Sequence, residues 1–286
     1  MKLTAEQSGA ALMTLGVFCL ASMDVMVKAL GPNFPVVQMV WLRFTSQALL
    51  VGVGLALIRR PLFESRHLPL HALRGLATIT SGFFFFVGIT YLPLADATAL
   101  IQLGPVMVTL GAVLVLGERI GRRRILSVFA TFIGAILIIR PGTSVMTTMA
   151  LFPLLGVIFF TVYALATRLT RNDNPWVSLF LQGLFGACFS SFAIPFFWEP
   201  VDLSEVPTLA AFVLFGTAGH LFMIRAFAIA PASHIAPFGY MGLLFAIIFG
   251  FTIFGEIPDL ITLVGASIIV VAGLYVCQRE QVVKNQ

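Results

Sequence analysis

Charged side chains inside long apolar segments are the strongest candidates for chemistry in this sequence. Asp24 lies about six residues before the end of the first apolar run, and Arg43 lies about seven residues into the second. A charge inside the hydrocarbon costs about 2.5–3.5 kcal/mol on insertion scales, so an intramembrane ionisable residue indicates function by default. At about 1.5 Å of rise per residue, both would lie roughly 10 Å below the same membrane surface, where antiparallel helices can pair them. Lys28, one turn from Asp24, could share that carboxylate.

These three charges have a structural and a functional interpretation. Structurally, Asp24 and Arg43 form a static pair that holds two helices together, or the arginine snorkels outwards. Functionally, they form an outer gate, or an anchor for a substrate carboxylate, which the planar guanidinium binds in a bidentate manner. An acid and a base at one depth also hint at a zwitterionic substrate such as an amino acid. The sequence leaves these alternatives open.

Uncharged polar and aromatic residues within the apolar segments are candidates for lining a central cavity. Gln102 and Tyr240 rank first, because 138 residues separate them and the same offset relates other parts of the chain. Residues related by an internal twofold axis tend to lie near that axis. His220 lies near the middle of its segment, where it is either a satisfied structural donor or a proton-sensitive contact. The other candidates are Gln38, Gln47, Tyr91, Tyr163 and Gln182.

Carboxylates at helix ends form a third group. Glu118 and Glu256 each follow a glycine, end equivalent segments and are predicted to bind basic loop residues or helix ends. Asp96 opens a segment, where an acid can cap the helix and complement its dipole. All three are predicted to be structural rather than substrate-binding. Pro105 and Pro237 lie inside predicted segments and should bend or break them.

The elements that position these residues occur twice. An offset of about 138 residues pairs Gly117-Glu118 with Gly255-Glu256, and an offset of about 140 pairs Lys28 with Arg168. Each copy contains five predicted spans, and because five is odd, the second copy must cross the membrane in the opposite sense. Inverted repeats of this kind are typical of secondary transporters, whose substrate site lies where the halves meet. The two predicted copies are residues 1–143 and 144–286.

Composition predicts an all-α polytopic membrane protein. Of the 286 residues, 59% are hydrophobic and 10% are charged, whereas a soluble domain carries about 25% charged residues. Runs of about 20 apolar residues must be helices, because lipid offers no partners to backbone polar groups. The net charge of +5 resides in short loops, which argues against nucleic-acid binding. The ten predicted transmembrane spans are 8–30, 36–58, 70–91, 95–116, 121–139, 149–169, 176–197, 207–229, 234–254 and 259–277.

The basic residues predict the orientation of these spans. With the N-terminus in the cytoplasm, Lys28 and Arg140 are the basic residues that lie on the outer side. Apart from Lys2, the others in the loops form cytoplasmic clusters at 59–74, 119–124, 168–171 and 279–284. An excess of Lys and Arg marks cytoplasmic loops. We therefore expect a multi-pass protein of the plasma (inner) membrane with both termini in the cytoplasm.

Three motifs resemble the EamA-like, ten-helix branch of the drug/metabolite transporter superfamily. They are Tyr91-Leu-Pro-Leu-Ala-Asp-Ala-Thr98, Leu116-Gly-Glu-Arg-Ile-Gly-Arg-Arg-Arg124 and Ile139-Arg-Pro-Gly142. The resemblance covers the whole chain and implies two five-helix bundles related by an inverted pseudo-twofold axis, around a central cavity for a small metabolite. It also implies substrates such as amino acids, nucleosides, riboflavin, S-adenosylmethionine, metallophores or toxic compounds. The second copy departs from the first, since Gly183 stands opposite Arg43 and Ala164 opposite Asp24.

The leading hypothesis is a secondary transporter, favoured as an exporter, that moves a small polar or amphipathic metabolite by alternating access. The alternatives are an uptake carrier for a cofactor-like metabolite of the S-adenosylmethionine or riboflavin type, and a channel-like facilitator. An enzyme is not expected because the chain has no HExxH motif, and the lack of a Walker A motif argues against ATP drive. We expect no cofactor, no metal and a monomer in the lipid bilayer. Proton exchange and facilitated diffusion stay equally open.

Overall fold

A computed structural model describes residues 4–116, 122–140, 148–170, 173–230 and 238–284. Within these ranges the chain forms helices and connecting turns and contains no β-strand, which confirms the all-α prediction there. Two residues singled out in the sequence, Glu118 and Pro237, lie outside the described residues.

Most helices are long and follow one another through short connections. The first six are α1 (Ala5–Leu30), α2 (Val36–Leu57), α3 (Leu68–Tyr91), α4 (Leu94–Ile101), α5 (Gly104–Leu116) and α6 (Arg122–Ile139). A 3-10 turn at Thr148–Ala150 precedes the others. These are α7 (Leu151–Leu169), α8 (Pro175–Ser191), α9 (Ile194–Phe197), α10 (Val206–Ile229), α11 (Met241–Phe254) and α12 (Leu260–Lys284).

The outer surface of the helices is apolar. Leu57, Leu114 and Phe196 expose 78%, 85% and 82% of their surface, as expected of side chains that face lipid rather than water. Five helical segments in the described part of the chain are long and apolar enough to cross a membrane, and shorter apolar helices accompany them. The chain is therefore a polytopic membrane protein. The five segments are Gln7–Leu30, Val36–Leu57, Leu68–Tyr91, Thr148–Thr167 and Val206–Met223.

Local side-chain chemistry sets several helix ends. Thr4 and Gln7 form a capping box at the start of α1, in which each side chain bonds the backbone N–H of the other. Asn174 caps α8 by accepting a hydrogen bond from the N–H of Trp176. Gly255 ends α11 with φ of 67°, a left-handed conformation that glycine adopts without steric cost.

Two of the predicted spans are each divided into two helices near a proline. The predicted span 95–116 is divided into α4 and α5 at residues 102–103, and the predicted span 176–197 is divided into α8 and α9 at residues 192–193. Pro105 and Pro195 each lie four residues after the last residue of the preceding helix. A proline has no N–H to bond that residue's carbonyl, and its ring clashes with it. The break near Pro105 was predicted, whereas the break near Pro195 was missed.

The helices pack in pairs between the two halves of the chain. Helix α1 packs along α10, α3 along α7, α2 along α8 and α6 along α12. Helices α6 and α12 approach each other closely at two glycines. A Cβ at Gly134 would lie 2.7 Å from the carbonyl oxygen of Gly265, and a Cβ at Gly265 would lie 2.7 Å from that of Gly134. The absence of side chains at these positions allows the two backbones to touch.

We expect Gly134→Leu to lower the free energy of unfolding by about 1–3 kcal/mol, because the new side chain would force α6 away from α12. Gly54→Leu is the matched control, since a Cβ at Gly54 meets nothing within 4 Å. The measurement is the thermal unfolding midpoint of each variant in detergent. Equal midpoints for the two variants would contradict the close approach of α6 and α12.

Candidate functional site

A cavity of about 400 Å³ lies among helices of both halves of the chain. Its wall is formed by α1, α3, α4, α7, α10, the break between α4 and α5, and the N-terminal part of α11. Most of the lining is apolar, which is typical of a small-molecule site with a few orienting polar groups. The apolar lining includes Met13, Val17, Leu20, Phe85, Ile101, Phe160 and Met223, and the polar side chains are those of Asp24, Thr98, Gln102 and Tyr240.

Gln102 and Tyr240 lie on this wall at two helix interruptions. Gln102 is the C-cap of α4, and Tyr240 is the N-cap of α11. The Nε2 of Gln102 donates to the carbonyl oxygen of Gly239 at 3.5 Å, so the two interruptions are in contact. The 138-residue offset therefore selected two residues that share one cavity. That they bind substrate stays a prediction.

Asp24 of α1 also lines the cavity and is buried within the bundle. Its relative exposure is 9%. Within the described part of the chain, its Oδ1 has no hydrogen-bond partner, and the same holds for the Oγ1 of Thr98, which the sequence analysis missed. Thr98 lies one turn before Gln102 on the same helix, a spacing that could have identified it.

Arg43 does not form the predicted direct pair with Asp24. Its guanidinium nitrogen NH2 lies 3.2 Å from Nε2 of His220, and its Cζ lies 5.3 and 5.8 Å from the ring centroids of Phe44 and Phe86. Nδ1 of His220 lies 2.9 Å from the carbonyl oxygen of Gly216. A ring with its proton on Nδ1 donates to that oxygen and accepts from Arg43 on Nε2, as a neutral histidine does. His220 is thus the satisfied structural partner, and Arg43 acts on Asp24 only electrostatically across a longer distance.

Lys28 does not form an ion pair with Asp24 either, because it contacts other groups at the end of the bundle. Its Nζ lies 2.7 Å from Oε1 of Glu256 and donates to the carbonyl oxygens of Ile89 and Leu92. Oε2 of Glu256 accepts from the N–H of Leu94 at 2.8 Å. We call Lys28, Ile89, Leu92, Leu94 and Glu256 the Lys28 cluster. It joins the end of α1, the turn between α3 and α4, and the loop after α11.

The sequence predicted that Asp96 caps α4, but Asp96 makes no capping hydrogen bond there. The N-cap position belongs to Pro93, and the carboxylate that reaches the first turn of the helix is that of Glu256. Asp96 instead lines a small recess together with Arg140, Asp259 and Thr262. Its position in the first turn still complements the helix dipole.

Beside Asp96, Arg140 forms an ion pair with Asp259, which precedes α12. The hydrogen bond from Arg140 lowers the pKa of Asp259 to about 2. The carboxylate therefore stays charged over the physiological pH range, and this contact reinforces the same end of the bundle as the Lys28 cluster.

The three buried glutamines hold the helix frame together and do not line the cavity. Gln38 exchanges two hydrogen bonds of 2.9 Å with the backbone N–H and carbonyl of Glu199. Gln47 donates to the carbonyl oxygen of Leu179, and Gln182 accepts from Arg74 at 3.4 Å. An amide has both a donor and an acceptor, so it satisfies backbone groups where helices meet.

The remaining tyrosine candidates also lie away from the cavity wall. Tyr91 is 65% exposed at the end of α3. Tyr163 packs near Phe160, and Cζ of Arg74 lies 5.7 Å from its ring centroid. Both were predicted as cavity residues from residue type alone, and the rotation of their helices turns them elsewhere.

Comparisons with known proteins were decisive for the family. The family model described as the EamA-like transporter family matches residues 7–140 and again residues 147–277. The chain belongs to the EamA-like transporter family. The predicted resemblance is confirmed, and so is the expectation of a membrane transporter rather than an enzyme.

Relatives of this EamA-like transporter carry different solutes. It is 30% identical over 283 residues to the pseudopaline exporter CntI of Pseudomonas aeruginosa, a match that covers 95% of this chain and 96% of that protein. It is 30% identical over 239 residues to a riboflavin transporter of Rhizobium johnstonii, covering 80% of this chain and 74% of the relative. It is 26% identical over 262 residues to an S-adenosylmethionine uptake transporter of Rickettsia prowazekii, covering 90% and 88%.

One solved structure supports the fold of this EamA-like transporter. A protein known from crystallography superposes with a TM-score of 0.65 and 18% sequence identity, over 95% of this chain and 98% of the other. At this identity the likeness concerns the fold alone.

In the Lys28 cluster, we expect Lys28→Met and Glu256→Gln each to lower the free energy of unfolding by about 1–3 kcal/mol, because each leaves a poorly hydrated partner unsatisfied. The double variant should lose less than the sum of the two single losses, since it removes both charges together. Unfolding midpoints in detergent provide the measurement, with Asp202→Asn in the exposed loop as a control. Strictly additive losses would argue against the ion pair.

Proposed function

We propose that this chain is a secondary carrier that moves a small polar or amphipathic metabolite through its central cavity by alternating access. The observation that carries the proposal is the meeting of two helix interruptions at this cavity, with Gln102 on one and Tyr240 on the other. Interrupted helices leave backbone groups available at mid-membrane depth, where many secondary transporters bind their substrates and ions.

We further propose ten membrane crossings arranged as two inverted halves, residues 1–143 and 144–286. The double match to one family model supports this division. The packing pairs support it too, because a twofold axis that relates α1 to α7 and α3 to α10 interchanges the pairs α1–α10 and α3–α7. The pairs α2–α8 and α6–α12 map onto themselves under the same operation.

Polar contacts at the two ends of the bundle agree with these crossings. At one end are the Lys28 cluster and the contact between Gln38 and Glu199. At the other end, Asp173 accepts from the Ser65 hydroxyl at 2.6 Å and lies 2.8 Å from Nε2 of His71. Each set joins loops that ten crossings would bring to the same side of the membrane. We propose that the Lys28 end faces outwards, because the sequence places most basic loop residues at the opposite end.

This arrangement suits alternating access in the plasma membrane. The Lys28 cluster ties helix ends of the two halves together above the cavity, so outward opening requires its contacts to separate. The long packing pairs between halves provide surfaces along which the halves can rock. The match with the pseudopaline exporter over nearly the full length of both chains favours export. Uptake is the second candidate, because two other relatives are a riboflavin transporter and an S-adenosylmethionine uptake transporter.

Counterflow in proteoliposomes tests the carrier. Radiolabelled amino acids, riboflavin and S-adenosylmethionine are supplied one at a time, with the unlabelled compound inside the vesicles. We expect saturable counterflow of at least one compound, and a loss of about tenfold with Gln102→Ala or Tyr240→Phe, since one polar contact to a bound solute is worth on the order of 1.4 kcal/mol.

The matched control for these variants is Tyr91→Phe, because Tyr91 lies on the surface outside the cavity. It should keep the wild-type rate, and all three variants should purify with wild-type yield. Linear, non-saturating flux would indicate a channel, and unchanged counterflow in both cavity variants would place the solute elsewhere.

Single-cysteine labelling tests the inverted arrangement and its orientation. In a chain whose three native cysteines are replaced, a membrane-impermeant maleimide added to intact cells should label Asp202→Cys and not Glu64→Cys. Both positions are exposed, so accessibility depends only on the side of the membrane. After the cells are opened, both should react. Labelling of Glu64→Cys in intact cells would overturn the proposed orientation.

A further inference from the structure

Asp24 is the charged residue among the described residues of the cavity wall, and the transport scheme leaves its chemistry unused. Its carboxylate is more than nine-tenths buried and faces the cavity. In the described part of the chain no hydrogen bond satisfies its Oδ1. A buried carboxylate without a partner is costly, and proteins retain such a group where a ligand or another charge completes it.

The basic groups nearest to Asp24 are committed to other partners. On α2, Arg43 contacts His220 of α10 and the faces of Phe44 and Phe86. Arg43 acts on Asp24 electrostatically, but no ion pair within 4.0 Å joins these two described residues. One turn along α1, Lys28 binds Glu256. Neither Arg43 nor Lys28 therefore forms an ion pair with the Asp24 carboxylate.

Among the described residues, the cavity wall includes this acid and no basic side chain. Asp24 lines it, whereas Arg43 lies behind the wall and is not among the lining residues. The rest of the wall offers the rings of Phe85 and Phe160 and the hydroxyl of Thr98. Aromatic faces attract cations, and a mostly apolar wall accepts an apolar body. The complementary ligand is an organic molecule with a protonated amine and a compact apolar part.

We propose that Asp24 binds the ammonium group of the solute, and that this chain carries small amphipathic amines for which a free carboxylate is not required. This inference rests on the proposed carrier function and identifies the chemical class that it serves. The structure favours an organic ammonium over an inorganic cation, because a cavity of about 400 Å³ with mostly apolar walls is far larger than an ion and offers it few oxygen ligands. The zwitterion suggested by the sequence is replaced by a solute recognised through its amine.

Head-group discrimination tests the proposal on the purified full-length protein in nanodiscs. The probes share one aromatic body: 2-phenylethylamine is cationic, 2-phenylethanol is neutral and phenylacetate is anionic. Sodium chloride, compared with potassium chloride, tests whether the site binds an inorganic cation instead. Binding is measured by isothermal titration calorimetry and by the shift in unfolding temperature. We expect the amine to bind at least about tenfold more tightly than the alcohol, because a charge-assisted hydrogen bond is roughly twice as strong as a neutral one.

Variants locate the effect at Asp24. Asp24→Asn should weaken binding of the amine by about tenfold or more and leave the alcohol unchanged, whereas Asp24→Glu should keep a preference for the amine. Asp202→Asn, in the exposed loop, removes the same charge away from the cavity and should bind as the wild type does. Equal binding of amine and alcohol, or an amine affinity unchanged in Asp24→Asn, would overturn the proposal.

The remaining outcomes are also decisive. Stabilisation of the wild type by sodium without any response to the amine would overturn the proposal in favour of an inorganic-cation site. If Asp24→Asn does not fold, the head-group series on the wild type and on Asp24→Glu still decides the question. Failure of the carrier function is distinguishable, because head-group discrimination with no counterflow of any compound would leave an amine-binding protein that does not transport.

Discussion

The need to satisfy backbone polar groups away from water constrains this structure most strongly. In lipid, each unpaired N–H or C=O costs several kcal/mol, so irregular backbone is tolerated only where protein or an internal cavity surrounds it. The helix interruptions obey this rule. At the start of α4, Glu256 accepts from the N–H of Leu94. Lys28 donates to the carbonyl oxygen of Leu92 after α3, and Gln102 donates to that of Gly239. Interrupted backbone and the side chains that complete it therefore lie at two places, on the cavity wall at Gln102 and Gly239 and at the end of the bundle in the Lys28 cluster.

The distribution of charge follows from the same constraint. Lys28 donates to carbonyl oxygens at a helix end, and Arg43 contacts a neutral histidine and two aromatic faces. These two bases stabilise the frame of the bundle. Asp24 differs from them because it lines the cavity and its Oδ1 has no hydrogen-bond partner among the described residues. The ionisable side chain on the described part of the cavity wall is therefore an acid, although the whole chain carries a net charge of +5.

The frame and the cavity wall use different residues, which suits a family whose members carry unlike solutes. Gln38, Gln182 and Arg74 join helices outside the cavity, so the wall can change without disturbing these contacts. Relatives named as a pseudopaline exporter, a riboflavin transporter and an S-adenosylmethionine uptake transporter are each similar to this chain over most of their length. A shared fold does not fix the solute, because function depends on the site residues that the fold carries.

The sequence by itself determined the helical class, most helix limits to within a few residues, the break near Pro105 and the family, because hydrophobic length, proline chemistry and motifs are local properties. The last helix is an exception, since it continues to Lys284 and the predicted span ended at residue 277. The repeat offset also placed Gln102 and Tyr240 on one wall. Only the tertiary structure decided which partner each polar group takes: Lys28 binds Glu256 rather than Asp24, and Gln38 binds the Glu199 backbone rather than lining the cavity. The physical reason is that spacing along a helix gives depth in the membrane, whereas partners depend on the rotation of each helix and on which neighbour packs against it.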